Sequence, residues 1–184
     1  MHGPSMSTRL FLDTEWADER GRSLVSLALV AETGEEFYAE RADLPARPTP
    51  FVEEMVYPVL ERGAAALDDF TFAARLRAFV GCFDKPAIVY DFPVDLALFV
   101  AALHGFERFK ASALDAAAPT PGYTTWHLGR ADSRSPALIL GDPCLAWFDA
   151  NPTAIRHHAL HDARALRHAC LTTGGNDPQA TASP

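Results

Sequence analysis

The sequence predicts an α/β protein in which a mixed five-stranded sheet is flanked by helices. Three apolar segments with short links open the chain, at residues 8–15, 23–32 and 32–41. A helical spacing of apolar residues begins at Thr71, and a buried apolar run with a helix behind it follows at 86–92. Antiparallel strands followed by alternating helices and strands are typical of a layered α/β fold.

The first three segments are predicted to pair as antiparallel strands. The links between them are short: the polar stretch ADERGR and a turn at Thr33-Gly34. Such links join neighbouring antiparallel strands, whereas parallel strands need a long crossover. The proline-rich stretch LPARPTP then ends the pattern. A short helix is expected over residues 50–60, limited by Pro58.

The rest of the chain is predicted to supply helices and two parallel strands. The first helix depends on an apolar stripe from Phe72 to Phe83 with helical spacing. A later helix starts with Pro93 and has Gly105 after its end, which are the positions that helices favour for these residues. The predicted elements are a helix from Thr71, a strand at 86–92, a helix at 93–105, a short strand in FKASALDAAA (109–118) and a helix at 157–173. Between 116 and 155 only ALILGD is an apolar run.

A single domain is expected over residues 8–173, with flexible tails at 1–7 and 174–184. The chain has 184 residues, enough for one sizeable core, and no internal repeat divides it.

Composition argues against a membrane protein and against an exported one. No apolar run approaches the ~20 residues of a membrane helix, and no apolar signal core opens the chain. The three cysteines, Cys82, Cys144 and Cys170, have no zinc spacing and form no even disulfide set. A cytoplasmic protein is therefore expected. The net charge of −8 also argues against binding long duplex nucleic acid by charge alone.

Two carboxylates end the first predicted strand, in the motif Asp13-Thr14-Glu15. Because side chains alternate along a strand, both acids lie on one face. Two interpretations are open: solvated charges at a strand end, or ligands of a divalent cation that offsets their repulsion.

Two later acids favour the metal interpretation. Asp95 falls in the first turn of the helix at 93–105, and Asp162 lies in the last helix. Each has an ordinary alternative explanation, since a helix N-terminus favours a carboxylate, and Arg156 or Arg164 could pair with Asp162. Four such acids at strand ends and helix faces are harder to explain separately.

The motifs FLDTEW, YDFPVD and HHALHDA resemble those of the DEDD 3′–5′ exonucleases of the histidine subtype, over roughly residues 8 to 172. The chain looks most like a small bacterial exoribonuclease-like branch of that family. The resemblance implies a ribonuclease H-like fold and hydrolysis of single-stranded or short nucleic acid, RNA more than DNA, to nucleoside monophosphates. Where many relatives have Asn in the middle motif, this chain has Asp91.

The resemblance also implies how the site works. Asp13, Glu15 and Asp162 would bind one Mg²⁺ or Mn²⁺ ion, and Asp13 would also bind a second, with Asp95 helping directly or through water. His157, five residues before Asp162, would be the general base.

Five residues are expected at the substrate: Thr14, Trp16, Asp91, Phe92 and His158. Trp16 has two open interpretations, core packing or stacking on the terminal base of a single strand. Core packing is favoured for Phe92, and His158 is expected to pack or to line the rim of the site.

Two other functions were weighed. A catalytically silent ribonuclease H-like module would bind nucleic acid without cleaving it, but all five motif residues are intact. A phosphohydrolase on an unrelated fold would use a glycine-rich phosphate loop, which the sequence lacks. Members of the family often form homodimers, so a homodimer is a further expectation.

Overall fold

The computed structural model describes residues 7–128 and 141–173. Its six strands are β1 (Arg9–Trp16), β2 (Leu24–Ala31), β3 (Glu36–Arg41), β4 (Ala66–Leu67), β5 (Ala87–Tyr90) and β6 (Thr124–His127). They form one mixed sheet in the order β4-β3-β2-β1-β5-β6. Strands β1, β2 and β3 are antiparallel neighbours, whereas β5 is parallel to β1 and β6 is parallel to β5.

In the described part of the chain, five α-helices accompany the sheet: α1 (Asp69–Val80), α2 (Pro93–Leu103), α3 (Ala111–Ala117), α4 (Gly141–Ala150) and α5 (Ala159–Thr172). Shorter turns occupy Val52–Val56, which is a π-helix, and Tyr57–Val59, Gly63–Ala65 and Gly105–Glu107, which are 3₁₀ turns. Helix α1 begins after Asp68, whose carboxylate accepts from the N–H groups of Phe70 and Thr71. These two hydrogen bonds make Asp68 a typical N-cap residue.

The sheet is covered on both faces. Leu10 and Leu12 of β1 belong to the main core, which includes Leu76 of α1 and Phe99 of α2. Phe11, on the other face of β1, packs against Leu166 and Cys170 of α5. Alternation along β1 therefore turns its odd-numbered residues towards α5 and its even-numbered residues towards α1 and α2.

The α/β class and the mixed sheet are confirmed, although the sheet has six strands and not five. The additional strand is β4, a two-residue pairing with β3 at the sheet edge. The prediction of a strand in 109–118 is wrong, because Ala111–Ala117 is helix α3 and the last strand is Thr124–His127. Alanine-rich sequence favours helix, whereas the Thr-Thr-Trp of β6 suits a strand.

The helix expected over residues 50–60 is divided into two short turns. The π-helix ends at Val56 and the next turn contains Pro58. Proline has no N–H to donate within a helix, and its ring crowds the preceding turn. The ends at 1–6 and 174–184, predicted as flexible tails, lie outside the described residues, as does most of ALILGD.

Within the described residues, no helix is both long enough and apolar enough to cross a membrane.

Candidate metal centre

Asp13 and Glu15 lie near the carboxyl end of β1, on the face that is covered by α5. They share this face with Phe11 and pair across the sheet with Ala28 and Ser26 of β2. Both side chains are half-buried. The interpretation in which these acids simply extend into solvent is therefore not the arrangement observed.

Helix α5 brings a third acid to this pair. Asp162 lies in its first turn, and one carboxylate oxygen each from Asp13, Glu15 and Asp162 lie within 4.8 Å of one another. Asp162 Oδ2 also accepts a hydrogen bond of 3.1 Å from the backbone N–H of His158. This bond fixes the carboxylate at the start of the helix.

Neither arginine considered as a partner for Asp162 forms an ion pair with it. Arg164 makes a two-pronged ion pair with Glu36 of β3 at 2.6 and 2.7 Å. The guanidinium of Arg156 lies over the ring of Phe148, 5.5 Å from its centroid. Within the described residues Asp162 has no ion-pair partner, and its nearest charged groups include the two other carboxylates.

The three acids are in an unfavourable electrostatic environment. Burial raises the pKa of Asp13 well above its ordinary value, and the charges of Asp95, Asp162 and Glu15 raise it further. Burial likewise raises the pKa of Glu15, with Asp162 and Asp95 adding to the effect. The pKa of Asp162 is raised by burial too, although backbone N–H groups of the neighbouring histidines act in the opposite direction. A divalent cation would relieve this repulsion, and carboxylate oxygens are its preferred ligands, so these residues fit Mg²⁺ or Mn²⁺.

Asp95 stands apart from the cluster of three. It lies in the first turn of α2, and its Oδ1 accepts a hydrogen bond of 2.7 Å from Thr14 Oγ1. Both side chains are buried. Asp95 is nevertheless close enough for its charge to raise the pKa of Asp13. The Thr14 hydroxyl is therefore engaged by Asp95 in the interior, and the expected role of Thr14 at the substrate stays a prediction.

His157 immediately precedes the cap of α5 and is half-buried. Its backbone has a φ of 62°, a left-handed conformation that is uncommon outside glycine. Its ring lies edge-on to Phe51, with 4.9 Å between the ring centroids. Burial lowers the pKa of His157, and the neighbouring Arg156 lowers it further. The imidazole is therefore neutral near pH 7 and able to accept a proton.

His158 is buried and lies between two other rings. It stacks on Tyr38 at 4.6 Å and on His161 at 4.5 Å between centroids, and its Nε2 is 3.6 Å from Glu61 Oε1. His158 is therefore packed between neighbouring rings, and its expected role at the substrate stays a prediction. The neighbouring His161 is held in turn, since its Nδ1 accepts a hydrogen bond of 2.9 Å from the N–H of Ile155.

Trp16 and Phe92, two of the residues expected at the substrate, contact each other. Trp16 stacks nearly parallel on Phe92, with ring centroids 5.8 Å apart and planes 7° apart. Trp16 packs against the main core, and Phe92 is 52% exposed. Asp91 is exposed and directly follows β5, whose residue Val89 pairs with Phe11. Continuing that register places Asp91 beside Asp13.

The sequence analysis missed Phe51. This residue is 50% exposed and contacts His157, although it lies more than a hundred positions away in the chain. The sequence contains one indication that Phe51 is exposed. Val52 and Val56 form the buried side of the short helix, and Phe51 does not belong to that side. The signal is weak, because single exposed apolar residues are common on protein surfaces.

Comparison with known proteins gave no assignment: no family model matches this chain, and no curated protein matches it.

Proposed function

We propose that this protein is a metal-dependent 3′–5′ exonuclease with a ribonuclease H-like fold. The observation that carries the proposal is the meeting of Asp13, Glu15 and Asp162 within 4.8 Å, with His157 at the start of the helix that bears Asp162. The motif resemblance described above gives this arrangement its chemical interpretation.

The sheet supports the proposed fold. Strands β1, β2 and β3 form an antiparallel meander, and β5 and β6 lie parallel on the other side of β1. This is the combination of three antiparallel strands with parallel strands that the resemblance implies. The two-residue β4 only extends the edge.

The protein residues have distinct roles in the proposed reaction. Asp13, Glu15 and Asp162 would hold one ion, and Asp13 with Asp95 would hold the second. When bound, a pair of divalent ions supplies activation of the attacking water and stabilisation of charge on the phosphate and on the leaving oxygen. A ring nitrogen of His157 takes the proton from the water, which requires the neutral imidazole that its lowered pKa provides.

The surroundings of the site favour a single-stranded substrate. Phe51, which contacts His157, and Phe92, which stacks on Trp16, are both about half-exposed, and unpaired bases stack on aromatic rings of this kind. The net charge of −8 gives no general attraction for duplex nucleic acid. RNA is proposed over DNA because the motifs look most like the exoribonuclease-like branch.

The test is digestion of 5′-labelled single-stranded RNA and DNA of the same sequence with Mg²⁺ or Mn²⁺. We expect a ladder that shortens one nucleotide at a time from the 3′ end, faster on RNA, absent in EDTA and blocked by a 3′-phosphate. Asp13→Asn should abolish it. The exposed Asp84, between α1 and β5, supplies the matched control Asp84→Asn, which should retain activity.

Three results would contradict the proposal. Binding of RNA without hydrolysis would identify a silent binding module. Cleavage of a circular single strand would identify an endonuclease. Full activity in EDTA would exclude the metal-dependent mechanism.

A further inference from the structure

The turn that carries His157 is bound by a side chain of the helix that follows it. His161 Nδ1 lies 2.9 Å from the backbone nitrogen of Ile155 and 3.3 Å from its carbonyl oxygen. A histidine ring nitrogen accepts or donates a hydrogen bond according to its tautomer, so His161 can bind the Ile155 backbone in either form. The shorter contact is the one in which Nδ1 accepts from the N–H. This bond closes a loop over Arg156 and His157.

The backbone of His157 depends on such support, because its φ of 62° is in the left-handed region. A residue other than glycine adopts this conformation at a cost in energy and keeps it only where the surrounding structure enforces it. On the C-terminal side of His157, the N–H of His158 donates to Asp162 Oδ2 at 3.1 Å. On the N-terminal side, the N–H of Ile155 donates to His161. Two hydrogen bonds to side chains of α5 therefore enclose the left-handed residue.

The ring of His161 is held in place by stacking. It lies on the ring of His158, with centroids 4.5 Å apart and planes 24° apart, and His158 lies on Tyr38 at 4.6 Å in a similar way. The Tyr38 hydroxyl donates to Oε1 of the fully buried Glu40 at 2.7 Å. The position of the His161 nitrogen beside Ile155 is therefore fixed by contacts that extend to β3.

We propose that His161 is a positioning residue for His157. Its bond to the Ile155 backbone holds the turn in the conformation that presents the imidazole of His157 to the reaction. This inference rests on the proposed function, in which His157 is the general base. A displacement of about 1 Å from the productive geometry can cost about 10²-fold in rate, so a bond remote from the phosphate can affect kcat.

Two substitutions separate the hydrogen bond from the ring. Phenylalanine keeps the ring and its stacking but has no acceptor, whereas asparagine has no ring but can place its oxygen where Nδ1 lies. His161→Phe should lower kcat on single-stranded RNA by about 10- to 100-fold with little change in KM. His161→Asn should retain most of kcat. The matched control is His168→Phe, the same exchange farther along α5, which should have normal kcat.

A second measurement does not depend on hydrolysis of RNA. Arg156 is exposed and lies within the turn, so trypsin can cleave after it when the turn opens. Cleavage after Arg156 should be about 2- to 10-fold faster in His161→Phe than in the wild type, the factor that corresponds to the net strength of one hydrogen bond. It should be unchanged in His161→Asn. Cleavage after the exposed Arg20, between β1 and β2, is the internal control and should not change.

A double substitution distinguishes positioning from a purely structural role. In a His157→Ala background, His161→Phe should lower the residual rate no further, because the base that it positions is absent. A further loss of the same size would overturn the inference. So would normal kcat in His161→Phe, or a loss in His161→Asn as large as that in His161→Phe.

The remaining outcomes are also decisive. If His161→Phe does not fold, His161→Asn must exceed His161→Ala in kcat and resist trypsin better, and equal values would overturn the inference. Unchanged cleavage after Arg156 in a folded His161→Phe would show that the bond does not hold the turn. Failure of the proposed function is a separate result, since it would be absence of hydrolysis by the wild type.

Discussion

The ring of Phe51 meets the ring of His157 edge to face, with centroids 4.9 Å apart and planes at 85°. Phe51 comes from the short helix after β3, and His157 from the entrance to α5. His157 is also held in a left-handed backbone conformation, with a φ of 62°. These contacts define the position of the imidazole at the entrance to α5, the helix that bears Asp162, and they lead to different predictions for the two residues.

His157→Ala should lower kcat by about 10²- to 10⁴-fold, the usual contribution of a positioned general base. The affinity for Mn²⁺ should change little, because all four carboxylates remain. His158→Ala is the matched control: His158 is buried against Tyr38 and His161, so its loss should lower the melting temperature more than kcat. Single-turnover kinetics and thermal unfolding measure the two effects. A nearly silent His157→Ala beside an inactive but folded His158→Ala would show that the base is His158.

Phe51→Ala should raise KM for single-stranded RNA by about 5- to 100-fold, the range expected when one base loses a stacking partner. Phe51→Trp should retain tight binding, since it preserves an aromatic face. Phe109, which is 37% exposed and packs against Phe70 of α1, supplies the control Phe109→Ala with normal KM. Equal KM values for Phe51→Ala and the wild type would remove Phe51 from the substrate site. Binding to a fluorescent oligonucleotide in Ca²⁺ gives an independent measurement.

The stability of the metal-free protein should fall as the pH rises from about 5 to about 8 through the titration of the acidic cluster. Burial raises the folded-state pKa of Asp13, Glu15 and Asp162. The folded protein therefore binds more protons than the unfolded chain, and the stability that these groups contribute is lost as the pH passes from the unfolded to the folded pKa. Protons compete with metal ions, so Mn²⁺ should raise the melting temperature more at about pH 8 than at about pH 5. An equal increase at both pH values would contradict a carboxylate site.

Asp13→Asn should make the metal-free protein more stable at about pH 8 while abolishing the stabilisation by Mn²⁺. The substitution replaces a buried acid, whose ionisation is opposed by burial and by the charges of Asp95, Asp162 and Glu15, with a neutral amide. Each kcal/mol gained corresponds to a rise of about 2–4 °C in melting temperature for a chain of this size. Thermal unfolding in EDTA and in Mn²⁺, with Asp84→Asn as the control, measures both effects. A destabilised metal-free Asp13→Asn would mean that the carboxylate is engaged by hydrogen bonds and not strained by its neighbours.

Local pattern was sufficient for much of the fold. The helix expected at 93–105 is α2, Pro93–Leu103, and the one expected at 157–173 is α5, Ala159–Thr172. In both segments apolar residues recur at the spacing of a helix, and residues that commonly begin or end helices lie at the ends. Each of these signals is carried by residues that are close together in the sequence. The prediction of a strand in 109–118 was wrong because a short apolar segment is compatible with the periodicity of a strand and of a helix alike.

The sequence by itself determined that Asp13 and Glu15 share a face, because alternation along a strand requires no knowledge of the rest of the fold. Only the tertiary structure decided which element covers that face. It brought Asp162 to the two acids across more than 140 positions of chain, and joined Thr14 to Asp95 of α2 by a buried hydrogen bond. It also buried His158 and left Phe51 exposed beside His157. The physical reason is that periodicity specifies the direction of a side chain relative to its own backbone, whereas its partners depend on the packing of elements that are distant in sequence.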